Sequence, residues 1–200
     1  MGTLENTLRD AGYVVHNVDY PSRTATVDVL ADKIVGHALA VARKAGAVRI
    51  HFVTHSLGGI LVRSYLAKHR VPELGRVVML GPPNQGSEVV DRIGSWWLFR
   101  KINGPAGGEL GTGATAAPNQ LGPVNFPVGV IAGSRSINGI NSLMIPGSDD
   151  GKVSIEHTKV AGMADHIVVP ANHPYLMKNP AAIRQVLQFL ANGAFAHEVK

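Results

Sequence analysis

A serine in a short glycine-rich run has the setting that most favours chemistry in this chain. The run VTHSLGGI covers residues 53–60 with Ser56 at its centre. It fits the pattern G-x-S-x-G, except that Thr54 replaces the first glycine and Gly58 supplies the second. A serine hydroxyl is a weak nucleophile, so it needs a tight turn that brings a base and backbone amides close to it. The pattern predicts Ser56 as the nucleophile, with the N–H of Leu57 as one oxyanion donor.

The elements around Ser56 bear on whether it reacts or only caps a helix. A serine before two glycines is also a common helix cap. However, Ala47–Thr54 (AVRIHFVT) is β-branched and apolar, as in a buried strand, and Gly58–His69 has the pattern of a helix. A strand that turns directly into a helix is the context that the nucleophile motif requires. The sequence therefore favours the catalytic interpretation.

A base and an acid should follow the serine in chain order, each on a loop after a later strand. His173 lies directly beyond the last short apolar segment and just before the final helix, which predicts it as the base. His51 lies on a predicted strand as a packing or surface residue, and His55 flanks the nucleophile and is expected to shape the site. His166 precedes the last strand, at the wrong end of that strand to meet Ser56.

Three carboxylates are candidates for the acid that orients His173. Asp150, immediately before Gly151, is favoured over its neighbour Asp149, which is better suited to cap the loop or face solvent. Asp165 precedes the last predicted strand, so the topology disfavours it. We expect Asp150 to accept a hydrogen bond from one ring nitrogen of His173 and to leave the other nitrogen for the serine proton.

The rest of the chain alternates between strand and helix patterns. Further strands are predicted at Tyr13–Tyr20, Arg76–Leu80, Val128–Ala132 and Ile167–Val169, and helices at Thr3–Asp10, at Val27–Lys44 and from Pro180 after an Asn179 cap. This alternation predicts an α/β domain over residues 1–200, with a mostly parallel sheet flanked by helices on both faces.

A long segment rich in glycine and proline, at about residues 81–127, is predicted to be a lid-like or irregular insertion. It contains Trp96, Trp97 and Phe99. These aromatic side chains have two interpretations, either a cover over the core or an apolar wall and lid for substrate. In the second interpretation they are candidate substrate-binding residues.

Composition restricts the partners. The net charge is +5, but the basic residues are scattered, so no nucleic-acid partner is expected. The absence of cysteine excludes a cysteine nucleophile and a thiolate metal site. His51 and His55 are four residues apart on a strand, at ~3.3 Å per residue, too far to share one ion, so no metal or cofactor is predicted. With neither a signal-peptide pattern nor an apolar stretch of ~20 residues, no transmembrane segment is expected, and the sequence leaves the location open, with cytoplasmic as the default.

Five segments of the chain resemble bacterial lipase and esterase-like α/β hydrolases. They are AGYVVHNVDYPS at 11–22, HSLGG at 55–59, LGPPNQGSE at 80–88, DDGKVS at 149–154 and NHPYLM at 172–177. The resemblance implies an α/β-hydrolase fold and cleavage of small-molecule carboxyl esters through an acyl-enzyme. It also implies Ser56 as nucleophile, Asp150 as acid and His173 as base.

One family feature has no counterpart in this sequence. Members of the family begin with an apolar strand ending in a His-Gly turn, and the residue after that turn supplies a second oxyanion amide. This sequence starts at Met1, almost within the following helix. The resemblance therefore leaves two expectations: either the true start lies upstream of Met1, or the fold is N-terminally shortened and lacks this donor. A weakly active or non-catalytic binding domain, and acyl transfer to an alcohol, thiol or amine, are the alternatives to ester hydrolysis.

Overall fold

Four parallel strands form the sheet in the described part of the chain. The computed structural model of the protein describes residues 1–93, 104–136 and 148–197. The strands are β1 (Ile50–His55), β2 (Leu74–Leu80), β3 (Val128–Gly133) and β4 (Asp165–Val169). They lie in the order β1-β2-β3-β4, and every neighbouring pair is parallel. The predicted parallel α/β architecture is confirmed.

Helices connect these strands and flank the sheet. They are α1 (Gly2–Asp10), α2 (Val27–Leu30), a π-helical turn (Ala31–Val35), α3 (Gly36–Lys44), α4 (Leu57–Lys68), α5 (Glu88–Ile93), α6 (Ala117–Gln120), α7 (Ile155–Thr158), a 3₁₀ helix (His173–Lys178) and α8 (Pro180–Asn192). The cap predicted for α8 is confirmed, because the Asn179 side chain accepts hydrogen bonds from the N–H groups of Ala181 and Ala182.

Two hydrophobic cores lie on opposite faces of the sheet. Successive side chains of a strand point to opposite faces. In β2, Val77 and Met79 join the core under α2, α3 and α4, whereas Val78 and Leu80 join the core under α1 and α8. Because both faces of β2 are covered, this strand is apolar at consecutive positions.

The strand predicted at Tyr13–Tyr20 is wrong. This segment has no regular secondary structure and does not pair with the described sheet. Its contacts come from side chains instead, since Arg9 donates to the carbonyl of Val15 and the ring of Tyr13 meets the ring of His51 edge-on at 6.0 Å. Alternating apolar residues indicate an extended segment with one buried side, whereas a strand also needs a neighbouring backbone to pair with.

A side chain interrupts the pairing of β1 with β2. The register shifts between Ile50 and Phe52. There the backbone N–H of Arg76 donates to Nδ1 of His51, at 2.9 Å, instead of to a strand carbonyl. Gly75 leaves space for this imidazole, because a Cβ at that position would lie 2.7 Å from the His51 ring. His51 therefore has a packing role, as expected.

A buried guanidinium ties α4 to the described part of the segment after β2. Arg63 is 3% exposed and donates to the carbonyl and side-chain oxygens of Asn84 and to the carbonyls of Pro118 and Gly122, at 2.8–3.1 Å. Its burial lowers the pKa of Arg63 to about 10, so the side chain stays charged at neutral pH. This residue fixes two described stretches of that segment, one at Asn84 and one at Pro118 and Gly122, against the helix that begins at the candidate nucleophile.

Candidate active site

Ser56 lies on a strained turn between β1 and α4. Its backbone has φ 53° and ψ −125°, and among the described residues it is the one non-glycine residue with a positive φ. Two hydrogen bonds hold the turn, from the N–H of Ser56 to the carbonyl of Leu80 and from the N–H of Gly59 to the carbonyl of Ser56. A non-glycine residue in this conformation costs about 1–3 kcal/mol, and such strain clusters at functional sites.

The threonine at the first position of the motif is accommodated. A Cβ built at Gly58 would lie 3.5 Å from Cβ of Thr54, an ordinary contact distance. One residue further along α4, a Cβ at Gly59 would lie 3.2 Å from both Met79 and Pro82. The helix therefore approaches the sheet closely at Gly59, and there is room for threonine opposite Gly58.

The structure brings together the three side chains that the sequence singled out. Oγ of Ser56 lies 2.9 Å from Nε2 of His173, and Nδ1 of the same ring lies 2.7 Å from Oδ2 of Asp150. His173 is 3% exposed and Asp150 is 1% exposed. The serine follows β1, the aspartate lies between β3 and β4, and the histidine follows β4. Three loops at one edge of the sheet thus form one hydrogen-bonded chain.

The loop around Asp150 fixes the direction of its carboxylate. Its Oδ1 accepts hydrogen bonds from the N–H groups of Lys152 and Val153, both at 3.0 Å. The carbonyl of Asp150 accepts from the N–H of His173 at 2.8 Å. With Oδ1 held by the turn, Oδ2 faces the imidazole and determines which ring nitrogen carries the proton.

A second histidine supports the backbone of the first. Nε2 of His55 lies 2.9 Å from the carbonyl oxygen of His173, and since a carbonyl only accepts, this nitrogen donates. The two rings are 4.8 Å apart. Burial, followed by the nearby charge of His173, lowers the pKa of His55 to about 4, so His55 is neutral at physiological pH. It holds the histidine loop in place, in agreement with its predicted role in shaping the site.

Two glycines at strand ends allow the acid and the histidine to come close to the sheet. At Gly81, where φ is +54°, a Cβ would lie 2.9–3.1 Å from Leu176, Asp150 Oδ2 and His173 Nδ1. At Gly133, a Cβ would lie 2.8 Å from Cβ of Asp150. Sequence reasoning did not single out these positions. The one signal for them was a glycine directly after each predicted strand.

The other sequence candidates for the acid lie apart from this chain of contacts. Asp149 belongs to the same turn, where its Oδ1 accepts from the N–H of Gly151 at 2.6 Å. Asp165 begins β4, at the opposite end of that strand from the histidine loop, and contacts His197 at 2.8 Å. His166 lies beside it at the same end.

Leu57 is the first residue of α4, where backbone N–H groups have no acceptor inside the helix. Its amide is therefore available to a ligand beside Ser56, as the oxyanion prediction requires. The predicted substrate-binding residues Trp96, Trp97 and Phe99 lie outside the described residues.

Within residues 1–93, 104–136 and 148–197, no three histidine, aspartate or glutamate side chains converge closely enough to hold a metal ion. The helices of the same ranges are each too short or too polar to cross a bilayer.

No protein-family model matches the sequence, and a comparison with curated proteins found no match. Similarity is found instead among experimentally determined structures. The mature form of a Bacillus licheniformis lipase superposes with a TM-score of 0.66 at 19% identity, over 86% of this chain and 76% of that one. A thermophilic esterase from Thermogutta terrifontis gives 0.59 at 14%, over 96% and 84%.

A third similar structure is the phospholipase PlaB from Legionella pneumophila, with a TM-score of 0.63 at 23% identity. The match covers 79% of this chain but only 42% of the phospholipase, so the chain spans less than half the length of that protein. Together with the parallel sheet and its flanking helices, these likenesses show that the chain has the α/β-hydrolase fold.

Proposed function

We propose that this protein is a carboxylic ester hydrolase that acts through an acyl-enzyme on Ser56. The observation that supports the proposal is the continuous hydrogen-bonded chain from Oγ of Ser56 through the ring of His173 to the carboxylate of Asp150. A serine, a histidine and a carboxylate in this geometry are recognised as a catalytic triad by their roles, whatever the fold. The lipase, esterase and phospholipase descriptions of the similar structures favour an ester as the substrate.

The proposed reaction has two halves. Nε2 of His173 takes the hydroxyl proton as Oγ of Ser56 bonds to the ester carbonyl carbon, and the N–H of Leu57 donates to the oxyanion that forms. His173 then protonates the departing alcohol, and the acyl group remains on the serine. Water enters, His173 takes its proton, and the acid is released with the serine restored. Asp150 holds Nδ1–H throughout and stabilises the imidazolium.

The proposed substrate is a small-molecule ester with an apolar acyl group. The apolar preference comes from the predicted aromatic residues Trp96, Trp97 and Phe99. Transfer of the acyl group to another alcohol, thiol or amine uses the same acyl-enzyme, so it is separated from hydrolysis by analysing the products formed with a competing nucleophile.

The test compares wild type with Ser56→Ala on a series of p-nitrophenyl esters and with a fluorophosphonate probe. We expect wild type to hydrolyse at least one ester and to be labelled covalently. Ser56→Ala should lose at least about 1,000-fold of the hydrolysis and all of the labelling. Ser22→Ala, which removes a serine hydroxyl from a different loop, is the control and should behave as wild type.

Two outcomes would contradict the proposal. Equal hydrolysis by wild type and Ser56→Ala would mean that another group reacts. A wild-type protein that is neither labelled nor active, but whose melting temperature rises with an ester analogue, would be a non-catalytic binding domain.

A further inference from the structure

The segment after β2 is joined to the loop that carries Asp150 by a row of hydrogen bonds outside the described triad. Residues 84–88 contribute the first side of this contact and residues 152–159 the second. The bonds run from Asn84 Nδ2 to Thr158 O, from Gln85 N to His157 O, from Gln85 Nε2 to Glu156 O and Lys159 O, from Ser87 Oγ to Lys152 O, and from Ser154 Oγ to Glu88 Oε1. We call this contact the acid-loop clamp.

Glu88 occupies the most enclosed ionisable position of the clamp. Its side chain is 12% exposed, and its Oε1 accepts the hydroxyl proton of Ser154 at 3.0 Å. Nδ1 of His157 lies 2.9 Å from the same oxygen. Ser154 is itself 4% exposed, and its Oγ also accepts from the N–H of His157 at the start of α7. One carboxylate oxygen thus accepts a hydrogen bond from the residue that caps α7 and lies close to a ring nitrogen within that helix.

The acid-loop clamp holds the backbone at Lys152 and at Ser154, next to the two amides that orient Asp150. The N–H groups of Lys152 and Val153 hold Oδ1 of Asp150. Ser87 Oγ fixes the carbonyl of Lys152 at 2.7 Å, and Glu88 fixes Ser154, the residue directly after Val153. A shift of the 152–154 backbone would therefore rotate the carboxylate away from the imidazole.

We infer that Glu88 is a positioning residue, which holds the 152–154 backbone through Ser154 and thereby aims Asp150 at His173. This inference rests on the proposed function, because it assigns Glu88 a part in the same site. The role belongs to the acceptor oxygen of the side chain, so glutamine, which keeps that oxygen, should largely replace glutamate.

The experiment measures ester hydrolysis and the hydrogen bond itself in Glu88→Ala, Glu88→Gln and the control Glu156→Ala. Glu156 lies on α7, beside the residues that Glu88 contacts, but its side chain is 75% exposed and pairs with Lys159. The hydrogen bond is followed by NMR through the Nδ1 proton of His173, which we expect to exchange slowly because the ring is buried, and which is assigned by its loss in Asp150→Asn. A stability loss elsewhere would not move this proton.

We expect Glu88→Ala to slow hydrolysis about tenfold, since small misplacements of a catalytic group have large effects on rate. Its Nδ1 proton should shift and exchange faster with water. Glu88→Gln should recover most of both readouts, and Glu156→Ala should match wild type. Should Glu88→Ala fail to unfold cooperatively, Ser87→Ala, which removes the bond to the Lys152 carbonyl, should show the same two changes on a smaller scale.

An unchanged Nδ1 proton in Glu88→Ala and in Ser87→Ala would overturn the inference, whatever happens to the rate. Failure of Glu88→Gln to recover either readout would overturn it as well. These results are distinct from failure of the proposed function. A wild-type protein without esterase activity would disprove that function, while the NMR readout would still report whether Glu88 aims Asp150.

Discussion

At the scale of single residues, the site depends on the absence of a Cβ at Gly81. Gly81 directly follows β2, and its positive φ and lack of a Cβ let the carboxylate of Asp150 and the ring of His173 pack directly over the backbone. Any side chain there would meet Leu176 as well, which is fully buried. The hydrogen bond between Asp150 and His173 therefore packs against the main chain of Gly81, with no side chain between them.

Gly81→Ala should reduce esterase activity by about 10- to 100-fold, because the new methyl group would displace the acid and the histidine from each other. It should also destabilise the protein by about 1–3 kcal/mol. Steady-state kinetics and urea unfolding measure the two effects. Gly46→Ala is the matched control, since Gly46 also has a positive φ of +79° but open space around it. A similar loss of activity in both variants would contradict the steric explanation.

Sequence reasoning reached the members of the hydrogen-bonded chain but not their supports. Ser56 was identified by a motif that lies between a predicted strand and a predicted helix. Asp150 and His173 were identified by their order in the chain after strands that were correctly located. The bond from His55 to the carbonyl of His173 and the close approach at Gly81 depend on distances between loops far apart in sequence. Such distances are set by packing, which local patterns do not encode.

At the scale of elements, α4 links the candidate nucleophile to the segment after β2 through one charged side chain. Arg63 lies in the buried part of this helix and binds carbonyls from two separate turns. Its charge has no carboxylate partner among the hydrogen bonds of the described residues, so those carbonyls are what compensate for its burial.

Arg63→Met should lower the free energy of unfolding by about 3 kcal/mol, because it leaves several buried acceptors without a donor. Urea denaturation followed by circular dichroism measures the change. Arg43→Met is the control, since Arg43 forms an exposed pair with Glu73, and exposed pairs of this kind contribute little to stability. If the two variants lost the same amount, Arg63 would not have the anchoring role assigned to it.

The elements themselves were predictable where periodicity and capping agreed. Strands β1 to β4 and helices α4 and α8 lie close to their predicted positions, and the Asn179 cap was correctly identified. The segment Tyr13–Tyr20 has an equally good strand pattern, yet it pairs with no other strand in the described chain. Pairing depends on a neighbour, and a single segment's pattern contains no information about whether that neighbour is present.

At the scale of the whole molecule, the sheet and its two cores hold groups that must remain uncharged. Burial lowers the pKa of His55, and it also lowers the pKa values of His51 and His166, whose rings are partly enclosed. In the unfolded chain these imidazoles would titrate near their ordinary value of 6.5. Below that pH the unfolded state binds more protons than the folded state, and stability falls.

Stability should be highest above pH 6.5 and should decrease as the pH falls from 6.5 towards 4. For His55, whose pKa drops from 6.5 to about 4, the contribution is on the order of 3 kcal/mol. Thermal unfolding at a series of pH values measures the slope. His55→Gln should flatten it, whereas His16→Gln, at an exposed position, should leave it unchanged. If stability changed with pH equally in wild type and His55→Gln, His55 would not be the cause of the pH dependence.

The positive φ at Ser56 strains the backbone, so the residue that best suits thermal stability at this position differs from the residue that the proposed reaction needs. Glycine adopts such dihedral angles at little steric cost, so Ser56→Gly should relieve this strain while it removes the proposed nucleophile. A laboratory lineage propagated only for survival at high temperature should accordingly drift towards glycine at this codon. Retention of serine in such a lineage would instead indicate that selection also acts on the activity of the protein.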